Sequence, residues 1–355
     1  MSSPGSATGH RVAEAGERAL IERIRSRVPA ADTALVVGIG DDAAVAIPDR
    51  GALQVLTTDA LVEGVHFDRR FSTPADIGHK ALAVNVSDVA SMGATSRFAL
   101  LSLMLPAHTT LIEVDELLEG LLELAKRLRI TLAGGNITRS PGPLVLDVTV
   151  IGSVRPRRIL TRAGGRAGDD LYVTGRIGAA RAGLEWLREQ CVQSGEANAV
   201  GGVTLPRPAD RDLAECVERY CRPEPRSRLG AILGRTRTAS ACMDLSDGLA
   251  DAVTQLASAS HTGAEIDAAL LPMHPSAHAW FSRIGADAVS AAVAGGDDYE
   301  LLFAVSPKRR GRLRGVVREA RGVPITKIGA LTADRSIGLT RNGRLEPLPT
   351  GFVHF

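Results

Sequence analysis

Residues Leu53 to Asp59 alternate as a strand, and that strand finishes in three oxygen-bearing side chains, Thr57, Thr58 and Asp59. Glu63, Gly64 and His66 follow in the next loop. An ionised aspartate set against a core is costly unless something cationic neutralises it. Within nine residues on either side of Asp59 the only Lys or Arg is Arg50. The partner must come from a distant part of the chain or from solution. Mg²⁺ suits the position, because it takes oxygen ligands and is held by one or two carboxylates together with substrate phosphates. Turn chemistry accounts for Thr57 to Asp59 equally well when the stretch is taken alone. The same arrangement, however, recurs along the chain.

The first recurrence is Gly38-Ile39-Gly40-Asp41-Asp42-Ala43, which has the spacing of a dinucleotide-binding fingerprint. That fingerprint needs a following helix with its N-terminus aimed at a pyrophosphate. Pro48 and Gly51 end the next segment too soon for one, and two carboxylates would face the anion. A second recurrence is Asp88. Thr73 as N-cap and Pro74 as first residue start a helix that runs to about Met92 and stops at Gly93. Asp88 falls near its C-terminal end, where the helix dipole disfavours negative charge, and Asn85 lies one turn away on the same face.

Gly134-Gly135-Asn136-Ile137-Thr138 reads as a glycine-rich loop after a short strand. Its N–H groups suit a phosphate, and it is also an ordinary turn. Asp244-Leu245-Ser246-Asp247-Gly248 joins a strand, Ala239 to Asp244, to a helix, Leu249 to Ser258; Ser246 or Asp247 is expected to cap it. A last acidic knot, Gly296-Asp297-Asp298-Tyr299-Glu300, leads into the strand Leu301 to Val305.

With 355 residues, 45% hydrophobic and 23% charged, the chain has room for two ordinary domains. We expect a lead over residues 1–15, an N-terminal domain over 16–154 and a C-terminal domain over 155–355, with a mobile loop from Gln193 to Pro208. A net charge of +2 and 3% aromatics argue against a nucleic-acid partner. No apolar run reaches membrane-span length, and Met1 to Gly9 has no apolar stretch of the kind a secretory signal carries. Cys191, Cys216, Cys221 and Cys242 form no C-x-x-C pair and read as free thiols of a cytoplasmic protein.

Together, Asp41, Asp42, Asp59, Asp88, Asp244, Asp247, Asp297 and Asp298 suggest one carboxylate-lined cleft between domains, suited to Mg²⁺ ions bridging the phosphates of ATP. Neither a P-loop nor the catalytic-loop and D-F-G set of protein kinases is present. This many acids without either motif points to phosphoryl transfer managed mainly by metals.

Gly38–Asp42, Thr57-Thr58-Asp59 with His66, Lys80–Asp88, Asp244–Gly248 and Gly296–Glu300, in that order, resemble the thiamine-monophosphate kinase family of the aminoimidazole ribonucleotide synthetase-like ATP-binding superfamily. The resemblance implies a two-domain α/β (α+β) fold of mixed sheets flanked by helices, and a homodimer formed through the N-terminal domains. It implies ATP-dependent phosphorylation of thiamine phosphate to thiamine diphosphate, with several Mg²⁺ ions. By position, Asp41, Thr57, Thr58, Asp59, Asp88, Asn136, Asp244 and Asp247 would hold metal, and Asp59, Asp88 and Asp244 would be catalytic. Gly135, Asn136, Arg162 and Ser246 would meet ATP, and His66, Asp297 and Phe352 would line the substrate pocket. The family commonly has Gly-Gly-Asp-Thr-Thr where Asn136 stands third, Glu at Asp297 and Tyr at Phe352. An amide at position 136 would weaken a metal site. Two alternatives are a sister enzyme activating a formylglycinamidine or selenide, and a sensor that kept the fold without turnover.

Overall fold

The computed structural model describes residues 10–29, 33–193 and 208–351. Phe352, most of the leading segment and nearly all of the loop expected from Gln193 to Pro208 fall outside these residues. The first half contains α1 (Val12–Ala15), α2 (Glu17–Arg27), β1 (Leu35–Val37), β2 (Val45–Ala46) and β3 (Leu53–Val62). It continues with α3 (Pro74–Ser91), β4 (Thr95–Pro106), α4 (Leu111–Leu128), β5 (Thr131–Ser140) and β6 (Val145–Val154). Four strands form one sheet in the order β3-β6-β4-β5.

Alternation decides which way that sheet faces. On β6 the even positions Leu146, Val148 and Val150 are buried, packed with α3 and α4, while the odd positions are half-buried on the opposite face. α3 starts as the sequence predicts, with a Thr73–Asp76 capping box and Pro74 in the first turn. It meets α4 at backbone distance: a Cβ on Gly78 would stand 1.9 Å from the Leu117 carbonyl oxygen, and one on Gly120 1.8 Å from that of Ala75. β1 and β2 pair as an antiparallel ribbon with no helix after Asp42, so a dinucleotide-type turn is absent there.

Three expectations need correction. Thr57 to Asp59 do not end a buried strand; they lie in the middle of β3, an edge strand with Leu56 65% exposed. Gly134 to Ser140 is no loop but part of β5, parallel to β4. A Cβ on Gly135 would lie 1.9 Å from the Leu101 carbonyl oxygen, so the glycine serves strand approach rather than a turn. In sequence the apolar stretch Phe98 to Leu105 reads as a strand with few charges to guard an edge, and so as support for a homodimer. It lies on β4, an interior strand, and offers no such edge.

The second half holds β7 (Asp170–Thr174), α5 (Ala179–Gln193), α6 (Arg211–Cys221), α7 (Ser227–Thr236), β8 (Ala241–Asp244) and α8 (Leu249–Ala259). Then come β9 (Gly263–Asp267), α9 (Pro275–Arg283), α10 (Ala288–Ala294) and β10 (Leu301–Val305). α11 (Arg310–Glu319), β11 (Ile325–Thr332), β12 (Ile337–Arg341) and β13 (Arg344–Pro347) complete it. The seven strands run β13-β12-β9-β11-β7-β10-β8, antiparallel except for β12 with β9. β10 is buried on both faces: Leu302 and Ala304 pack towards α8 and α10, Leu301, Phe303 and Val305 towards α7 and α11. The four cysteines are free, three of them buried.

The halves meet closely. A Cβ on Gly230 of α7 would stand 2.0 Å from the Ala90 carbonyl oxygen on α3, and one on Gly234 2.5 Å from that of Arg158.

Candidate active site at the domain junction

Because Thr57 and Asp59 pair with Val150 and Val148, their side chains leave β3 on the helix side of the sheet. There the Thr57 hydroxyl donates to Asp88 Oδ2 at 2.6 Å. From the neighbouring position on α3, Ser87 reaches across the junction and donates to Asp244 Oδ2 at 2.6 Å. Asp244 ends β8 and is 3% exposed. Three carboxylates from both halves thus converge, each supported by a neutral hydroxyl or by none.

Their electrostatics follow. Partial desolvation, together with the charges of Asp88, Asp147 and Asp247, pushes Asp59 up to about 6, although the residue stays solvent-exposed on its edge strand. Burial and the Asp88 charge push Asp244 up to about 7. Asp88 is raised by burial, against the pull of its bond from Thr57 and the charge of Arg162. Arg162 also lowers Asp244, and its guanidinium is held by the Gln255 side chain. Among the described residues no three His, Cys, Asp or Glu form a ready-made metal cage. An all-oxygen set that repels itself fits Mg²⁺ nevertheless, since that ion uses few carboxylates and completes its shell with water and phosphate.

Asp247 and Ser246 form the turn after Asp244. Neither caps α8; Gly248 is the N-cap residue at φ 104°, and a Cβ there would come 2.7 Å from the Gly295 carbonyl oxygen. The glycines bring this turn against Gly296–Glu300, where the Asp297 N–H donates to the Ser246 carbonyl at 2.7 Å. Asp297 and Tyr299 both take left-handed backbone (φ 68° and 48°), an uncommon state for a tyrosine. Thr174 and Arg226 fix the loop by binding the buried Glu300. Asp298 turns inward and accepts from the N–H groups of Gly178 and Ala180, so it caps α5 instead of lining a cleft.

Lys80, missed as a contact residue by sequence reasoning, ties this loop to the first half. Its ammonium lies 3.2 Å from Asp297, 3.3 Å from the His66 carbonyl and 4.1 Å from the centre of the Tyr220 ring. His66 Nδ1 accepts from the Val62 N–H at 3.0 Å, which fixes the ring. His66 and Asp297 therefore belong to one knot. Nothing local in the sequence pairs Lys80 with Asp297; the only signal is that both stand in motifs.

The remaining residues lie on the other face of the sheet. Thr58 points away from Thr57 and donates to Asp147 at 2.7 Å, beside Thr149. Asp147 was detectable as a polar break in the apolar run Val145 to Val150. Across the strands Asp147 aligns with Ser102 and Asn136. Asn136 is three strands from β3, roughly 14 Å at ordinary strand spacing. Gly135, Asn136, Asp147 and the exposed Asp41 and Asp42 border a cavity of about 1130 Å³ beneath the β1–β2 ribbon. The acids expected in one cleft thus divide between two sides of one sheet.

A two-domain fold with paired mixed sheets and an acid-lined junction defines the class. Residues 40–154 match the N-terminal domain and 166–342 the C-terminal domain of AIR synthase related proteins, and the chain belongs to that family. Within it, the thiamine-monophosphate kinase of Bacillus subtilis (strain 168) is 36% identical over 293 residues, covering 82% of this chain and 84% of that one. The crystal structure of the Stenotrophomonas maltophilia K279a thiamine-monophosphate kinase superposes with a TM-score of 0.78 at 34% identity, covering 92% and 96%. AaThiL complexed with AMPPCP and TMP gives 0.73 at 29% identity, covering 96% and 98%. The chain is a member of the thiamine-monophosphate kinase family.

Proposed function

We infer that this protein transfers the γ-phosphoryl group of ATP to thiamine phosphate, giving thiamine diphosphate and ADP. The observation that carries the reading is the meeting of Asp59, Asp88 and Asp244 from both halves, with raised pKa values and no lysine among them. Such a site attracts hard cations and, through them, phosphates. An oxygen of thiamine phosphate bonds to the γ-phosphorus while the bond to the β–γ bridging oxygen breaks, and the electron pair leaves with ADP. Asp59, Asp88, Asp244 and Asp247 would hold Mg²⁺, which supplies positive charge to the phosphate oxygens. Arg162, whose charge acts on Asp88 and Asp244, and Ser246 would contact ATP. His66 and Asp297, held by Lys80 and Tyr220, form the substrate side, where the Asp297 carboxylate suits the cationic thiazolium.

A homodimer in the cytoplasm belongs to this reading. The homodimer is supported by the open sheet face and the exposed apolar residues Val36, Val45, Ile47 and Leu56 around it. The residues on that face, Asp41, Thr58, Gly135 and Asn136, would act at the nucleotide side of the assembled enzyme.

The deciding assay measures ADP release that requires thiamine phosphate, with thiamine diphosphate formed in equal amount. Asp59→Asn should fold normally and lose about 10²- to 10³-fold in rate, the usual loss on removing one preorganised charge. ADP release indifferent to thiamine phosphate would overturn the substrate. Near-wild-type turnover in the variant would remove Asp59 from the site.

A further inference from the structure

A second cavity, of about 690 Å³, opens at the other end of β3, by Ala52. It lies roughly 20 Å along the strand from Asp59 at ordinary strand rise. Five arginines border it: Arg50, Arg155, Arg158, Arg228 and Arg235. The only acids on its wall are Asp49 and Glu319. Asp49 is already engaged by Arg97 at 3.2 Å and by the Ser153 hydroxyl.

Three of the five guanidiniums are held in place. Arg155 donates to the carbonyls of Arg50 (2.9 Å) and Gly51 (3.3 Å), acceptors that orient a guanidinium without neutralising it. Arg228 and Arg235 stand two turns apart on one face of α7, held by the carbonyl and the carboxylate of Glu319. Arg50 and Arg158 have no carboxylate partner among the described residues. Arg235 is neutralised by Glu319, but the other four guanidiniums, all exposed, have no carboxylate partner among the described residues, and like charges gathered this way repel when no anion is bound. They suit phosphate, whose oxygens match the guanidinium fork. The lining has no aromatic residue, so it offers a nucleobase or thiazolium nothing to stack on.

We propose that this arginine-lined cavity binds a small anion carrying two or more phosphate groups, at a site separate from the acidic junction. Its walls come from the N-terminal sheet, the connecting segment Arg155–Arg158 and α7, so the ligand would touch both halves at once.

Calorimetry with inorganic triphosphate, in the presence of a chelator and near-physiological salt, tests it. Without divalent metal the carboxylates of the junction repel phosphate, and the arginine variants assign the heat that remains to this cavity. Saturable binding of one triphosphate per chain is expected, with ADP binding within a few-fold of inorganic diphosphate. Arg50→Glu and Arg158→Glu, whose side chains make no ion pair that folding would lose, should each weaken it at least tenfold. Thiamine-phosphate-dependent ADP release should be unchanged in both. Absence of binding at millimolar triphosphate, equal binding by the variants, or an affinity that follows the nucleoside rather than the phosphates would overturn the proposal. Because binding is read without turnover, the result is independent of the kinase reading.

Discussion

Asp244 shows how a single side chain records the demand for a cation. Its pKa of about 7 lies far above that of an aspartate in an unfolded chain, near 3.9. Between those values the folded protein holds the proton more tightly than the unfolded chain does. Folding stability from this group is therefore greatest at acid pH and is lost as pH rises towards 7. Asparagine mimics the protonated acid in shape and can still accept from Ser87. In chelator, Asp244→Asn should match the wild-type melting temperature only below about pH 3.9, exceed it increasingly from there to about pH 7, and keep a constant excess above that. Comparing the two proteins cancels His79 and His274, whose depressed pKa values act in the opposite direction over part of this range. A difference that stays constant between those two pH values would mean that Asp244 is not strained by its charge.

Elements were legible where their signals were local. Thr73 and Pro74 announced α3 and Gly93 its end, because caps need no partner. β5 was not legible. Gly134 and Gly135 look like a turn to their neighbours in sequence, while the real demand comes from the Leu101 carbonyl on β4. The acids stood out for lack of nearby basic residues, yet which side of β3 each faces depends on pairing with β6. The α3–α4 contact gives the element-scale prediction. Gly120→Ala must push a methyl against Ala75 and should destabilise by about 1–3 kcal/mol, the usual range for overpacking. Gly142→Ala, with nothing within 4 Å, should change little. Chemical denaturation of both proteins measures this, and equal midpoints would show that α3 and α4 can part without penalty.

For the whole molecule, the proposed homodimer rests on the open sheet face. Leu56, 65% exposed, sits on that face opposite Ile151. Light scattering of the wild type should return twice the chain mass at micromolar concentration, and Leu56→Glu should return the mass of one chain. A wild-type monomer, or an unaffected dimer in the variant, would place the interface elsewhere. The seam between α3 and α7 has a different consequence. Asp88 rides on α3 two residues before Ala90, and Asp244 belongs to the body that carries α7. Gly230 touches Ala90 with no side chain between them, so the seam is a caliper already closed to its stop. The two acids cannot be drawn nearer along that line, and any larger residue at position 230 would hold them apart. The gap into which a cation and its phosphates must fit is thus gauged at a place that touches neither.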